Sequence, residues 1–214
     1  MLDVQILGLD TDAVNYRDAW DLQRRVHQDV VSGRAPDTLL LLEHTSVYTA
    51  GKRTEPDERP TDGTEVIDVD RGGKITWHGP GQLVGYPILR LADPVDVVAH
   101  VRRLESFLMD LLSSYGVVGE GVDGRSGVWV RRGLGFNKIA AIGIRVAEGV
   151  TMHGFSLNCS NSLDAYENIV ACGIRDAGAT SLSLEAGRLI TPSDVIDTVR
   201  SAFLAEFEGI HEFN

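Results

Sequence analysis

Three stretches of the chain repeat their apolar positions every three or four residues, which is the pattern of an amphipathic helix. They cover about residues 12–32, 94–115 and 191–207. Gly33 follows the first stretch and can end that helix in a left-handed conformation, and Pro94 suits the first turn of the second. The pattern therefore predicts three helices separated by long non-helical segments.

Shorter apolar or alternating stretches predict β-strands between these helices. They lie at residues 4–8, 38–43, 65–70, 86–91, 117–118, 127–130, 138–146 and 151–158. The last two flank a short turn at 147–149 and predict adjacent antiparallel strands. Because the strands do not alternate regularly with helices, the pattern favours an α+β fold over a doubly wound one. We expect a mixed, largely antiparallel sheet with flanking helices in one domain that spans residues 1–214.

Composition and net charge limit the classes of molecule that the protein is expected to bind. Of 214 residues, 43% are hydrophobic and 24% are charged, as in ordinary globular proteins. The net charge of −11 disfavours nucleic acid and anionic membrane as partners. No apolar run is long enough to span a bilayer and no signal peptide is recognisable at the N-terminus, so we expect a cytoplasmic protein.

Two cysteines, Cys159 and Cys172, provide neither a disulfide framework nor a four-ligand zinc site. We expect both to be reduced, and one of them could be a nucleophile. Cys159 stands beside Ser160 and Asn161 and has the neighbours of an ordinary loop cysteine.

The densest polar signal is the segment 71–83, with the sequence Arg-Gly-Gly-Lys-Ile-Thr-Trp-His-Gly-Pro-Gly-Gln-Leu. Its glycines permit close approach of the backbone to a ligand, and its side chains add hydrogen-bond donors. The glycine spacing matches neither a dinucleotide fingerprint nor a phosphate-binding loop. A tight turn with exposed polar residues and a ligand-binding loop both remain open at this point.

Three further segments carry candidate chemistry. Lys138 opens an apolar strand; such a lysine is usually solvated, but at the rim of an apolar pocket desolvation would lower its pKa and make it a proton acceptor. His153 is expected to be a core histidine bonded to backbone, followed by a strand with a small-residue face at Gly154 and Ser156. Cys172 precedes a glycine between apolar pairs, and a thiolate there would need a nearby positive charge.

Taken together, these segments resemble the lipoyl(octanoyl) transferases, which move an octanoyl group from acyl carrier protein to a lipoyl domain. The resemblance rests on four blocks in the same order: R-G-G-x-x-T-x-H-x-P-G-Q, K-I-A-A-I-G, H-G-F-x-L-N and C-G-I. It runs from about residue 38 to 184 and, with four ordered blocks, is highly specific.

The resemblance implies the catalytic-domain fold of biotin and lipoate protein ligases, with Cys172 as the acyl-thioester nucleophile and Lys138 as its partner. It also implies an octanoyl-binding surface made of Arg71, Gly72, Gly73, Lys74, Ile75, Thr76, Trp77, His78, Ala141, Ile142, Gly143, Gly154, Phe155 and Ser156. No cofactor and no metal are implied, because the substrate is already an activated thioester. The implied partners are acyl carrier protein as donor, and the lipoyl domains of 2-oxoacid dehydrogenases and the glycine cleavage H protein as acceptors.

The chain departs from the family where Ala171 replaces the proline that usually precedes the cysteine, and the stretch 131–137 follows no family-wide pattern. For the docking of an acidic carrier, a local basic patch is expected. Its candidates are Lys52, Arg53, Arg71, Lys74, Arg131 and Arg132.

Three other interpretations are weighed against this one. The first is an ATP-dependent lipoate or biotin ligase on the same fold, which would not need Cys172. The second is a non-catalytic module that binds a lipoyl domain or acyl carrier protein, against which the thiol–lysine pair argues. The third, a metal hydrolase that uses His44, His78 and His153, is the weakest, because these residues lack the spacing of a zinc signature.

Overall fold

The computed structural model describes residues 2–61, 63–169 and 177–208. Its strands are β1 (Asp3–Gly8), β2 (Thr38–Leu42), β3 (Val47–Ala50), β4 (Val66–Asp68), β5 (Thr76–His78), β6 (Gln82–Ile88), β7 (Glu120–Val122), β8 (Arg125–Arg132), β9 (Gly135–Ala147), β10 (Val150–Asn158) and β11 (Gly178–Ala179). Its helices are α1 (Tyr16–Val31), α2 (Val97–Ser113), α3 (Leu182–Ala186) and α4 (Pro192–Phe207). Short 3₁₀ turns occupy Asp10–Asp12, Pro56–Glu58 and Asp164–Asn168.

Two sheets organise these strands. The larger sheet has the order β1-β2-β6-β10-β9-β8-β7, with β11 paired to β9, and the smaller has the order β4-β3-β5. Among the described strands of the larger sheet, only β1 with β2 and β11 with β9 run parallel. The expectation of a mixed, largely antiparallel sheet with flanking helices is therefore confirmed.

Helices cover both faces of the larger sheet, which explains why β2 is apolar at almost every position. Leu40 and Leu42 belong to the apolar cluster under α1, whereas Leu39 and Leu41 belong to the cluster under α2 and α4. Successive side chains of a strand point to opposite faces, so a strand buried on both faces has no polar alternation. None of the helices in the described ranges is long and apolar enough to cross a membrane.

The first two helices begin later than the pattern predicts. Asn15 caps α1 by accepting a hydrogen bond from the Arg17 amide at 2.9 Å, after the 3₁₀ turn that occupies the expected first turn. Asp96 caps α2 by accepting from the Ala99 amide at 2.9 Å, so Pro94 precedes the helix. In both cases a side-chain acceptor for the free amides of the first turn fixes the start.

The strands differ from the prediction in three places. The glycine-dense segment 71–85 is not a continuous loop, because it contains β5 and the start of β6. The strand expected at 117–118 lies instead at β7, and β3 was not predicted. Strands of three or four residues are too short for periodicity to reveal them.

Candidate active site

A cavity of about 250 Å³ lies among α1, β5, β6, β9, β10 and the turn that precedes β8. Exposed residues line one end of it, among them Arg53, Gly124 and Ser126, and this end is its mouth. Buried residues such as Tyr16 and Tyr86, 2% and 3% exposed, line the inner end. The cavity thus has a solvent side and a deep side with different chemistry.

Most of the site residues expected from the sequence lie on its wall. They are Arg71, Gly73, Lys74, Thr76, His78, Lys138, Ala141, Ile142, Gly143, Gly154, Phe155 and Ser156. Segments that are far apart in the chain, around residues 71–78, 138–143 and 154–156, therefore form one surface.

Three expected residues do not line the cavity. Along β5 side chains alternate, so Thr76 and His78 reach the cavity while Trp77 packs on the other side with Ile75 and Ile169. The Gly72 amide donates to the Ile144 carbonyl at 2.9 Å, which ties the loop to β9. In the described structure Gly72, Ile75 and Trp77 therefore pack behind the residues that line the cavity.

Small residues meet where β9 and β10 form the wall. Gly143 stands opposite Gly154 in the antiparallel register, and Ala141 stands opposite Ser156. A Cβ at Gly154 would overlap the Gly85 carbonyl oxygen of β6, so the neighbouring strand demands glycine there. Gly143 and Gly154 therefore allow the Arg71 loop and β6 to pack closely against the two strands, and both glycines contribute to the cavity wall.

Arg71 holds the loop that closes the other side. The residue is 7% exposed, and its guanidinium donates to the carbonyl oxygens of Gly72 at 3.0 Å, Lys74 at 2.8 Å and Thr49 at 2.9 Å. It also donates to the Thr49 hydroxyl at 2.9 Å. One side chain thus satisfies several oxygens and fixes the loop backbone.

Lys138 stands at the mouth, near the start of β9. Its Nζ donates to the Ser126 carbonyl oxygen at 3.0 Å and lies 4.4 Å from the ring centre of Trp129, its partner on β8. Both neighbours are uncharged. The amino group is thereby held by a carbonyl oxygen and an aromatic face at the entrance to the cavity.

Cys172 and Ala171 lie outside the described residues. The described chain on either side is fixed: Ile169 packs with Tyr48 and Trp77, and the Thr180 amide donates to the Lys138 carbonyl at 2.9 Å. Ile169 therefore adjoins the smaller sheet, and Thr180 adjoins the strand that carries Lys138.

Cys159 is not the loop cysteine expected from its neighbours. It is 0% exposed and belongs to the core cluster under α2 and α4. Burial raises the pKa of its thiol to about 12. The polar neighbours in sequence mislead because the backbone at Cys159 continues inward from β10 and places the thiol in the core.

The inner end of the cavity carries a hydrogen-bonded chain that the sequence did not indicate. His44 Nδ1 lies 2.9 Å from the Val14 carbonyl oxygen, so Nδ1–H donates and Nε2 accepts from the Tyr86 hydroxyl at 2.7 Å. Burial lowers the pKa of His44 to about 4 and raises that of Tyr16 to about 12. The groups are therefore neutral at pH 7. Their positions come from α1, β6 and the loop after β2, which no local motif connects.

Two histidines other than His44, which lies behind the wall, line the inner end. His78 Nδ1 lies 2.7 Å from the Gln82 side-chain oxygen, and burial lowers the pKa of His78 to about 3. His153 Nε2 lies 2.7 Å from Asp70 Oδ1, and burial lowers the pKa of His153. His153 Nδ1 and Thr76 Oγ1 are buried and have no hydrogen-bond partner within the described part of the protein. The tyrosines and histidines of the inner end are thus polar and neutral at pH 7.

His153 differs from the core histidine that was expected. Its ring bonds to the carboxylate of Asp70, which also pairs with Arg145. Its φ of 58° is in the left-handed region, which is rare for a bulky residue. This turn changes the direction of the side chain on β10, and nothing in the local sequence signals it.

Five of the six basic candidates separate into two groups, and Lys52 is exposed beside Arg53 without lining the cavity. Arg53, Arg71 and Lys74 line the cavity. Arg131 and Arg132, near the tip of the β8–β9 hairpin, each form an ion pair at 2.8 Å with a glutamate of this chain. No group of three or more His, Cys, Asp or Glu residues in the described ranges is placed to hold a metal ion.

Comparison with known proteins assigns the family. The catalytic domain of lipoyl protein ligases A and B matches residues 15–204. The chain belongs to this family. Octanoyltransferase of Clavibacter sepedonicus is 63% identical over 205 residues, which cover 94% of this chain and 88% of the relative. That of Leifsonia xyli subsp. xyli is 62% identical over 210 residues, 97% and 93% of the two chains. The resemblance stated from the four sequence blocks is confirmed, and the chain is an acyltransferase.

Structural comparison gives the same fold at much lower identity. A bipartite lipoate protein ligase of Thermoplasma acidophilum, from a structural study of that ligase and its E2 lipoyl domain, aligns with a TM-score of 0.71. It shares 13% identity over 96% of this chain and 83% of the other. The expectation of a lipoate protein ligase catalytic-domain fold is confirmed.

Proposed function

We propose that this acyltransferase moves an octanoyl group from acyl carrier protein to a lysine of a lipoyl domain, through a thioester on Cys172. Identity above 60% with octanoyltransferases, against 13% with a lipoate protein ligase of the same fold, favours octanoyl transfer over ATP-dependent ligation. The observation that carries the mechanism is the position of Lys138. It lies at the mouth of the cavity, and its backbone pairs with β11, the strand that follows Cys172 in the chain.

The cavity suits an extended acyl chain. Gly143, Gly154 and Ser156 line it without bulky side chains, while Ile142 and Phe155 supply apolar surface. Each CH₂ removed from water contributes about 0.8 kcal/mol. The chain would enter from the mouth, with its thioester near Lys138 and its tail toward the inner end.

In the first half-reaction, Lys138 in its amine form accepts the proton of the Cys172 thiol. The thiolate attacks the thioester carbonyl carbon, a new C–S bond forms, and the bond to the carrier sulfur breaks. The carrier thiolate then takes the proton from Lys138 and leaves as a thiol. The acyl group remains on Cys172.

In the second half-reaction, the amine of the acceptor lysine attacks the acyl-cysteine. A C–N bond forms and the C–S bond breaks, and Lys138 transfers the amine proton to the cysteine sulfur. A thioester is converted to an amide, so the reaction needs no ATP. A positive charge that cannot release a proton would not replace Lys138 in either step.

Intact-protein mass spectrometry after mixing with octanoyl–acyl carrier protein tests the proposal. We expect an octanoyl adduct without ATP, mapped by digestion to Cys172 and absent from Cys172→Ser. Lys138→Ala and Lys138→Arg should both lose turnover while staying folded, because guanidinium remains protonated. The matched control Cys159→Ser should keep the adduct. ATP dependence, or full activity of Cys172→Ser, would instead indicate a ligase.

A further inference from the structure

Strand β8 contains an irregularity next to the residue that holds Lys138. The register between β8 and β9 shifts between Val128 and Trp129. Gly127, just before the shift, has a φ of 102°, and a Cβ there would overlap the Ala140 carbonyl oxygen. Bulges of this kind bend a strand and occur often beside active sites. The backbone conformation at position 127 therefore requires glycine.

A buried carboxylate from α2 holds this irregularity. Glu105 is 2% exposed, and its Oε1 accepts from the Gly127 amide at 2.9 Å. Its Oε2 accepts from Arg102 at 2.7 Å, which offsets the charge. A buried amide that leaves its strand ladder needs another acceptor, and Glu105 supplies it.

Ser126 connects the Gly127 hydrogen bond to Lys138. Ser126 precedes Gly127, and its carbonyl oxygen accepts from Lys138 Nζ at 3.0 Å. We propose that Glu105, which does not line the cavity, is a positioning residue for Lys138: its carboxylate fixes Gly127, and Gly127 fixes the carbonyl that orients the Lys138 amino group. This inference rests on the role given to Lys138 in the proposed function.

A purely structural role for Glu105 predicts a different result. Loss of a buried acceptor would then lower the free energy of unfolding and leave the turnover of the folded fraction unchanged. A positioning role predicts a fall in kcat with little change in KM for the octanoyl carrier, because substrate binding is retained while the proton acceptor is misplaced. A measurement of kcat and KM on folded protein therefore distinguishes the two roles.

The experiment compares three changes at this position in the full chain. Glu105→Leu removes the acceptor, Glu105→Asp withdraws it by one methylene, and Glu105→Gln keeps a carbonyl oxygen for the Gly127 amide. We expect kcat to fall roughly tenfold to a hundredfold in the Leu and Asp variants, in line with misplaced reacting groups, and to recover in Gln. Leu108→Val, at an apolar position of the same helix, is the control for altered stability.

The double variant Glu105→Leu/Lys138→Ala completes the test. If Glu105 acts through Lys138, the Leu change should cause no further loss in the Lys138→Ala background. An equal loss in both backgrounds, or an unchanged kcat in folded Glu105→Leu, would overturn the inference. If Glu105→Leu does not fold, an unchanged kcat in Glu105→Asp overturns it. Full activity of Lys138→Ala alone would instead refute the proposed function.

Discussion

Acidification from pH 7 to pH 5 is expected to destabilise the fold strongly, because buried histidines are held neutral. His44, His78 and His100 are 0%, 7% and 6% exposed, and burial lowers their pKa values to about 4, 3 and 4. In the unfolded chain each binds a proton near its ordinary pKa of about 6.5. Their contribution to stability is therefore complete above that pH and is lost as pH falls toward the folded pKa values.

The size of this effect follows from proton linkage. At pH 5, each of the three histidines favours the unfolded state by roughly 2 kcal/mol more than at pH 7, or about 6 kcal/mol together. A typical domain is stable by about 5–15 kcal/mol, so the loss is a large share. A hydrogen bond from His153 lowers the pKa of Asp70 to about 2, so the stability that Asp70 contributes is lost only below about pH 4, outside this range.

Urea unfolding followed by tryptophan fluorescence at pH 7, 6 and 5 measures the loss. His100 is the informative position, because it lies on α2 away from the cavity and its Nε2 has no partner within the described residues. In His100→Leu one titrating group is gone, so the pH-dependent loss should shrink to about 4 kcal/mol. A stability that stays flat from pH 7 to pH 5, or an identical loss in His100→Leu, would refute the reasoning.

Three further outcomes are expected. Iodoacetamide should leave Cys159 of the folded protein unlabelled, since burial raises the pKa of its thiol to about 12, and should label Cys172; peptide mapping that finds the reverse contradicts this. Gly154→Ala should lower the free energy of unfolding by about 1–3 kcal/mol, because its methyl group overlaps β6, whereas Gly121→Ala, with open space at that position, should be nearly neutral in urea unfolding. Arg53→Glu should raise KM for the acidic carrier and not for a short thioester, with a difference that diminishes at high salt; equal losses with both substrates would exclude docking at the mouth.

The hairpin of β9 and β10 shows how far sequence reasoning extends. Both strands alternate and the turn between them is short, so their pairing is local, and the structure confirms it. Three of the four blocks likewise contribute residues to the cavity wall, and the fourth, which holds Cys172, lies outside the described residues. Local patterns predict local geometry well.

The inner end of the cavity shows where this reasoning stops. Tyr16, His44 and Tyr86 come from separate elements and meet only through tertiary packing. The left-handed backbone of His153 has no signature in the residue type itself. The effect of the bulge at Gly127 was equally unpredictable. A glycine within a strand pattern indicates an irregularity, but it does not show which carbonyl will face Lys138.

The loop pinned by Arg71 has a consequence for changing substrate preference. Its shape depends on oxygen atoms of the backbone and Thr49 bound by one buried guanidinium. The side chain of Thr76 faces the cavity and has no part in that anchorage. Position 76 can therefore be varied in a search for enzymes that accept other acyl chains. The hydrogen bonds that support the loop are kept as long as Arg71 is retained.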